Sequence, residues 1–284
     1  THAAGVVISR KAVTEYVPLQ MNEDVITTQF TMGTLEELGL LKMDFLGLRT
    51  LTVIRDTLEL IEAKGIEPPD MDSMDYDDSN VYKMISQGET YGVFQLESGG
   101  MTQCFKDLKP NCLEDIIAGI SLYRPGAMDQ IPKYIRNKHN PDKIQYMHPA
   151  LEHILDVTYG CIVYQEQVMQ IVRDLGGYSM GRSDLVRRAM GKKKADVMAK
   201  ERENFINGIV DEDGNVIVKG CVRNGISADV AADIFDEVAK FAGYGFNKSH
   251  AAAYAIIAYQ TAWLKYYYPV EFSAALITSV MGNS

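Results

Sequence analysis

The chain has 284 residues, of which 46% are hydrophobic and 23% charged, and its formal net charge is −10. This composition is typical of a globular protein with a sizeable core, and it excludes a disordered or collagen-like chain. The length suits one large or two modest domains. No segment approaches the ~18 consecutive apolar residues of a membrane span. The acidic balance argues against nucleic-acid binding over the whole surface.

The cysteines and the first residues indicate the compartment and the context of the chain. The four cysteines are scattered: Cys104, Cys112, Cys161 and Cys221. Without a C-x-x-C pair they indicate neither a disulfide framework nor a zinc site, and with no signal-peptide pattern we expect a cytoplasmic protein. The chain begins with Thr1, and residues 4–9 resemble a strand already under way. Because a single strand does not stand alone, we expect its sheet partners to lie upstream of Thr1.

The first fifty residues have a mixed pattern, and the rest of the chain is mostly helical. Strands are predicted at residues 5–9, 25–30 and 40–45, with a short helix near residues 34–38. From Leu48 to Ile61 apolar residues recur at helical spacing, and a Gly and two Pro residues end that helix. Further helices are predicted at residues 79–86, 113–122, 165–175, 183–190, 194–206, 227–241, 249–267 and 270–280. We therefore expect a mainly α protein with a small mixed α/β remnant at its N-terminus.

A hairpin interrupts the helical pattern between residues 209 and 218. Asp213-Gly214 stands between β-forming residues, which is a strong signal for a tight turn between two strands. We interpret this segment as an insertion and assign no chemistry to it.

Charge is distributed unevenly along the chain. Residues 56–78 contain nine acids and one base, whereas residues 182–202 contain eight bases and three acids. A locally basic face on an acidic chain can still hold a polyanion.

Lys42 and Asp44 are the first candidate functional pair. Side chains alternate along a strand, so these two share one face of the predicted strand at residues 40–45. One interpretation is a salt bridge on a solvated sheet face. The other is a metal-binding carboxylate beside a lysine that contacts a phosphate, since Mg²⁺ sites combine one or two carboxylates with substrate phosphates.

Arg187 and Arg188 lie in the last turn of a predicted helix, and Lys192, Lys193 and Lys194 follow. An Asp184–Arg188 pair and the helix dipole account for one or two of these charges. Five bases within eight residues exceed that need, and paired arginines suit bidentate phosphate recognition. We therefore keep phosphate or nucleic-acid contact beside the structural interpretation.

The segment from Phe241 to Ala251 is the third candidate. Glycines flank Tyr244, and either Asn247 or Ser249 can cap the alanine-rich helix that follows. A helix N-terminus with Lys248 and His250 favours an anion site, and an aromatic ring beside it could stack on a base. The alternative is a core tyrosine at a tight turn with a hydrogen-bonded histidine. Arg124, at a predicted helix end, is either a phosphate contact or a helix-end charge.

Several motifs in order closely resemble the alpha subunits of bacterial DNA polymerase III, the C-family of replicative DNA polymerases. They include Lys-Met-Asp-Phe-Leu-Gly-Leu-Arg-Thr-Leu after Leu41 and Tyr-Gln-Glu-Gln-Val-Met from Tyr164. The matching segments are residues 1–7, 41–51, 93–98, 159–169, 185–193 and 241–250. The resemblance covers essentially the whole chain.

The resemblance implies two domain fragments, with residues 1–50 as the C-terminal part of a nucleotidyltransferase-type palm and residues 51–284 as helical fingers. In that family three palm aspartates hold two Mg²⁺ ions. Asp44 matches the third, and the other two are expected upstream. Lys42 matches a lysine that contacts the incoming triphosphate.

The resemblance also assigns residues of the fingers. Arg187 and Arg188 match arginines that bind the triphosphate of the incoming dNTP, and Tyr244 could pack near the nascent base pair. Asn247 and His250 would be neighbours of that site. We expect weaker DNA contacts from five further basic residues: Arg124, Lys192, Lys193, Lys194 and Lys248.

The resemblance implies a DNA-directed DNA polymerase whose partners are primer–template DNA, dNTP, and, through regions outside this chain, the sliding clamp and other replicase subunits. It implies no membrane partner, and it implies that this chain alone is inactive. Two alternatives stay open: a translesion paralogue of the same polymerase, and a non-catalytic helical binding module with a basic patch. Dependence on Mg²⁺ and dNTP would separate the last from a polymerase.

Overall fold

The computed structural model describes residues 4–191 and 195–281, which divide into two compact units between Thr52 and Val53. The expected fold class is confirmed, because the described chain is mainly helical and most of its short strands precede residue 50. Among the described residues, no helix has the length and apolarity that crossing a bilayer requires.

The N-terminal unit is built from two strand pairs. Its elements are β1 (Gly5–Ile8), β2 (Leu19–Asn22), β3 (Val25–Thr28), α1 (Met32–Glu37) and β4 (Leu41–Asp44). β1 pairs with β4 and β2 with β3, both antiparallel. The expectation that the first strand has partners only upstream is wrong, because the chain reverses after α1 and lays β4 along β1, with Gly5 opposite Asp44.

The core of the N-terminal unit is small. It is centred on Val17, Leu35 and Leu40, with Val7 and Val13 packed against them. β2 was not predicted, because its alternation covers only four residues and half of them are polar. β2 forms because its backbone groups make hydrogen bonds to β3, which its own sequence pattern does not predict.

The second unit is helical. Its helices are α2 (Arg49–Glu62, which crosses the unit boundary), α3 (Ser79–Gln87), α4 (Gly99–Leu108), α5 (Leu113–Leu122), α6 (Ile131–His139), α7 (Glu152–Leu155), α8 (Gln165–Gly176), α9 (Met180–Gly191), α10 (Ala195–Asn207), α11 (Ala228–Ala242), α12 (Lys248–Tyr267) and α13 (Pro269–Thr278). The predicted hairpin is confirmed as β5 (Ile209–Val210) paired antiparallel with β6 (Val216–Val218).

Three helices of this unit, α4, α6 and the four-residue α7, were not predicted. α4 opens with two glycines, which are poor helix formers. It forms because the Ser98 side chain caps it and because Phe105 and Leu108 are buried in the core. α6 carries a proline in its first turn and a basic last turn, so its apolar face is short.

α12 is the central helix of the second unit. Its buried alanines, Ala251, Ala255, Ala258 and Ala262, allow α5 and α3 to pack close against it. A second core lies among α8, α9, α10 and α11, around Phe205 and Phe235. The segments that lead into α8 and α12 meet between these two cores, and the candidates Tyr244, Asn247 and Lys248 lie in or beside the second segment.

Candidate nucleotide site

Lys42 and Asp44 lie on β4 and face the same side of the strand. Lys42 Nζ is 2.7 Å from Asp44 Oδ1. The lysine side chain is 13% exposed and the aspartate side chain 44%, so the carboxylate is open to solvent while the ammonium is largely covered. The pair is set by local register, since each residue stands opposite a residue of β1 in the antiparallel ladder.

Metal-binding capacity at β4 rests on a single carboxylate. The described residues contain no group of three or more His, Cys, Asp or Glu side chains placed to share a metal ion. Asp44 is an exposed carboxylate beside the Lys42 ammonium, and carboxylate oxygens are among the ligands that Mg²⁺ prefers.

Arg187 and Arg188, in the last turns of α9, share one carboxylate. Arg187 donates from Nε and Nη2 to Asp184 Oδ1 at 3.0 and 2.8 Å, and Arg188 Nε is 2.8 Å from Asp184 Oδ2. Hydrogen bonds from Arg187 and the charges of both arginines hold the pKa of Asp184 below its ordinary value. Two guanidinium groups against one carboxylate leave a net positive charge, and the Arg188 side chain is 64% exposed.

Lys192, Lys193 and Lys194 lie outside the described residues. Their predicted DNA contacts stay a prediction.

Asn247 is the N-cap of α12. Its Oδ1 accepts a hydrogen bond from His250 N at 2.8 Å, so of the two capping candidates it is Asn247 that caps the helix. The ring of His250 packs on Tyr254, with centroids 4.3 Å apart, and stands edge-on to Phe246 at 5.4 Å. His250 is thus part of an aromatic row on the first turns of the helix rather than a hydrogen-bonded core residue.

The N-terminus of α12 receives a carboxylate from the chain itself. Lys248 N donates to both oxygens of Glu166 at 3.1 and 3.2 Å. The side chain of Lys248 turns to Glu114, with Nζ 3.1 Å from Oε2, and lies over the ring of Tyr164. The sequence pattern favoured an anion site at this helix end, with a structural alternative left open. In the structure the carboxylate at this position is that of Glu166, which no sequence pattern had indicated.

A parallel bridge joins the segment before α8 to the segment before α12. Gln165 N donates to Phe246 O at 2.9 Å, and Phe246 N donates to Val163 O at 3.1 Å. Gln165 also donates from Nε2 to Gly245 O. The two segments pack closely here, since a Cβ on Gly245 would be in van der Waals contact with the backbone nitrogen of Gln165, at 3.4 Å.

Gln167, which is 3% exposed, holds this bridge from within the core. Its Oε1 accepts from Val163 N and Tyr164 N at 2.8 and 3.0 Å, and its Nε2 donates to Ile154 O and Thr158 Oγ1 at 3.1 and 2.7 Å. All its hydrogen-bonding groups are used, which makes the position of the segment before α8 specific. Sequence analysis noted the Tyr-Gln-Glu-Gln motif but not this role.

Arg124 braces the loop that carries Tyr244. Its Nη2 donates to Tyr244 O at 3.0 Å and its Nε to Ser121 O at 3.1 Å, and the guanidinium lies 3.9 Å from the ring centroid of Phe246. Burial lowers the pKa of Arg124, although an arginine stays charged at neutral pH. The ring of Tyr244 lies against Gly126, whose positive φ of 88° and missing Cβ both suit glycine.

The end of α9 adjoins the same loop. A Cβ on Gly191 would stand 3.7 Å from Ala242 O, so the last turn of α9 packs on the chain just before Tyr244. The helical unit thus brings together the two arginines of α9, the Tyr244 loop and the first turn of α12. Lys42 and Asp44 belong to the N-terminal unit.

Comparison with known proteins identifies the family. The model of the bacterial DNA polymerase III alpha subunit finger domain matches residues 50–213, and that of the bacterial DNA polymerase III alpha NTPase domain matches residues 1–47.

Whole-chain relatives agree. The DNA polymerase III subunit alpha of Pseudomonas aeruginosa is 47% identical over 296 aligned residues that include 100% of this chain and 24% of the relative. That of Bacillus subtilis is 47% identical over 284 residues, with coverage of 100% and 24%. That of Thermus aquaticus is 50% identical over 284 residues, with coverage of 98% and 22%.

The chain thus spans about a quarter of the length of the curated relatives it matches. The resemblance found in the sequence is confirmed. Because the finger-domain model alone matches more than half of its residues, the chain belongs to the family of bacterial DNA polymerase III alpha subunits.

Proposed function

We propose that this chain is the part of a replicative DNA-directed DNA polymerase that contributes the end of the palm, residues 1–50, and the fingers, residues 51–284. The observation that carries the proposal is the excess positive charge at the end of α9, where two arginines share the carboxylate of Asp184 beside the Tyr244 loop. The names of the relatives support the reaction class.

The arginines would bind the triphosphate of an incoming dNTP. Phosphoryl transfer needs positioning and charge neutralisation more than covalent help from the protein. Arg187 is held by Asp184 in a fixed orientation, whereas the more exposed Arg188 can turn one face of its guanidinium to a phosphate. A triphosphate would therefore meet one oriented cation and one adaptable cation.

Asp44 would supply one carboxylate ligand to Mg²⁺, which, when bound, neutralises the phosphates and clamps the reacting oxygens. The exposed carboxylate fits that role, and Lys42 beside it would face the triphosphate. The remaining ligands would come from phosphate, water and carboxylates outside this chain, so the chain alone should be inactive.

Four residues would act mainly by positioning their neighbours: Arg124, Asn247, Lys248 and His250. Asn247 caps α12, Lys248 pairs with Glu114, and Arg124 holds the Tyr244 carbonyl. These contacts would place Tyr244 near the nascent base pair. Primer–template DNA, the sliding clamp and the other replicase subunits are the partners that we propose for the whole protein.

The experiment is primer extension by the full-length protein carrying Asp44→Asn, with Mg²⁺ and all four dNTPs. Loss of a metal ligand should lower the rate by several powers of ten, on the scale of removing a single catalytic group. Asp24→Asn is the matched control, because Asp24 is an exposed acid of the same unit, in the turn between β2 and β3.

The control should extend primers at the wild-type rate. An Asp44→Asn protein that extends primers within about tenfold of wild type would overturn the metal-ligand assignment. A wild-type protein that binds DNA but extends no primer when Mg²⁺ and all four dNTPs are present would instead favour the non-catalytic binding module.

A further inference from the structure

A cleft of the helical unit combines an apolar pocket with a basic one. The apolar pocket has a volume of about 190 Å³, and its floor is made of core side chains that include Leu151, Leu155, Ile234 and Val238. This volume lies below the ~300–1,000 Å³ of sites for drug-sized ligands, so it suits one ring system.

Aromatic and polar side chains edge the apolar pocket. Tyr146 and Tyr244 both line it, and so do the polar side chains of Asp129 and Glu237. Tyr146 is partly buried, and burial raises the pKa of its phenol, which keeps it neutral at physiological pH. The pocket can therefore accept a flat ring with hydrogen-bonding edges.

The basic pocket adjoins the apolar one and shares Lys133 and Gln145 with it. It has a volume of about 370 Å³. Its other lining residues are Arg136, Asn137, Asn140 and Lys143, so every lining side chain is polar and none is acidic. This is the chemistry of a phosphate site, with cations for the charge and amides for the oxygens.

The three cations of the basic pocket have no close acidic partner among the described residues. Lys133, Arg136 and Lys143 make no side-chain hydrogen bond or ion pair with any described residue. Some described cations elsewhere are paired, as Arg202 is with Asp236 at 2.9 Å, and others, such as Lys83, stand alone on the surface. Three unpaired cations around one concavity, on a chain of net charge −10, favour an anionic ligand.

We propose that the two pockets form one cleft for a nucleotide unit of DNA, with the base in the apolar pocket and the phosphate among Lys133, Arg136 and Lys143. The choice of DNA rests on the proposed polymerase function. The residues differ from those proposed for the incoming triphosphate. The nucleotide unit belongs either to a single strand or to a free nucleotide.

An acidic protein segment fits the cleft less well. It would satisfy the three cations but would leave the adjoining apolar pocket without a planar group. A DNA strand repeats a base beside each phosphate, and bases stack on aromatic side chains. The presence of the base is therefore what distinguishes the two kinds of ligand.

The phosphate part is tested by the binding of a fluorescein-labelled single-stranded oligodeoxynucleotide to the 284-residue chain, without added metal. Arg136→Glu and Lys143→Glu should each weaken binding by roughly tenfold or more, since each removes a charge-assisted contact. The slope of log affinity against log salt should fall by ~0.7 for each lost phosphate contact.

Lys83→Glu and Lys106→Glu are the controls, because they make the same change in charge at exposed lysines that have no ion pair with any described residue. They should bind within about twofold of wild type. Thermal melts establish that each variant is folded. Equal affinities for the pocket variants and the controls would overturn the proposal.

The base part is tested with Tyr146→Ala, Tyr146→Phe and an abasic oligonucleotide of the same length. Tyr146→Ala should weaken binding of the normal oligonucleotide by roughly fivefold to a hundredfold, whereas Tyr146→Phe should retain it. The abasic strand should bind more weakly and be insensitive to both variants. Equal binding of normal and abasic strands, or of a polyglutamate peptide, would overturn the proposal.

Competition distinguishes the two sources of the nucleotide. If a deoxynucleoside monophosphate displaces the labelled strand as well as an unlabelled strand does, the cleft takes a free nucleotide. If only the unlabelled strand competes, the cleft takes a strand. Both outcomes support the nucleotide cleft.

A failure of the proposed polymerase function can be distinguished from a failure of the proposed cleft. The test of the polymerase function is the effect of Asp44→Asn on primer extension by the full-length protein, whereas the cleft is tested by metal-free binding to this chain. If Asp44→Asn abolishes primer extension while Arg136→Glu leaves oligonucleotide binding unchanged, the cleft is rejected and the polymerase function is retained.

Discussion

The Lys42–Asp44 residue pair on β4 and the Tyr244 loop are positioned in different ways. Lys42 and Asp44 are two residues apart, and the register of β4 alone puts them on one face. The Tyr244 loop is positioned by contacts that span 80 or more residues, from Gln165, Glu166 and Arg124. The first geometry is local and can be read from the sequence, whereas the second depends on the packed helical core.

This difference predicts which substitutions damage the molecule. The helical unit contains two buried polar clusters: Asp115 pairs with Lys138, and Gln167 holds the segment before α8 through its four partners. Removing either should cost far more free energy of unfolding than removing a local charge pair. Asp184 with its two arginines is the local pair of the helical unit.

The largest expected effect is that of Lys138→Met. Asp115 is fully buried, and its carboxylate accepts from Asn111 N and the Tyr159 hydroxyl besides pairing with Lys138 Nζ at 3.0 Å. Without the lysine a buried carboxylate keeps no counterion, which should cost about 3–5 kcal/mol of unfolding free energy. Urea unfolding of the chain measures it.

The double variant Lys138→Met with Asp115→Leu is the control for that experiment. It removes both charges, so it should recover part of the lost stability. A loss below about 1 kcal/mol for Lys138→Met alone would contradict the expected cost of leaving the Asp115 carboxylate buried without a counterion.

Gln167→Leu should have the next largest effect. The leucine fills the space but leaves the backbone N–H groups of Val163 and Tyr164 without their acceptor. We expect a loss of about 2–3 kcal/mol and faster amide exchange at both residues. Gln103→Leu, which removes an exposed glutamine bonded to Asp107, is the matched control and should cost less than about 0.5 kcal/mol. Equal losses of unfolding free energy for the two variants would contradict the role of Gln167 in holding the segment before α8.

The smallest effect should come from the titration of Asp184. Its pKa is lowered in the folded chain, so its contribution to stability is fully present above the ordinary aspartate value of about 3.9 and is lost as the pH falls through the lowered value. Because the group is near the surface, Asp184→Asn should cost only about 0–1 kcal/mol at pH 7. The difference between wild type and variant in urea unfolding should narrow below about pH 4. A difference that does not change with pH would contradict this assignment.

The sequence predicted the local features of the fold well. The helix Leu113–Leu122 is found at its predicted bounds, because its apolar spacing is regular and turn-forming residues flank it, Pro110 before and Pro125 after. The hairpin around Asp213-Gly214 follows from turn chemistry alone. β2 and α4 escaped prediction because their stability comes from a partner strand and from burial.

The candidate residues follow the same division. The shared face of Lys42 and Asp44 and the pairing of Asp184 with Arg188 follow from strand and helix periodicity. The carboxylate of Glu166 at the start of α12 could not be predicted, because the two residues it joins are 82 positions apart. A periodic pattern reports neighbours on one element and does not report which loops meet.

The central claim is that Arg187 and Arg188 bind the triphosphate of the incoming dNTP. The most direct measurement is the apparent KM for dNTP of the full-length protein carrying Arg187→Ala or Arg188→Ala, together with its Tm. Arg202→Ala is the matched control, because Arg202 of α10 also forms an ion pair with a surface aspartate, Asp236 of α11. We expect KM to rise roughly tenfold to a hundredfold for each α9 variant and to stay unchanged for the control. An unchanged KM with a lowered Tm would show that the arginines only stabilise the helix, and it would contradict the claim.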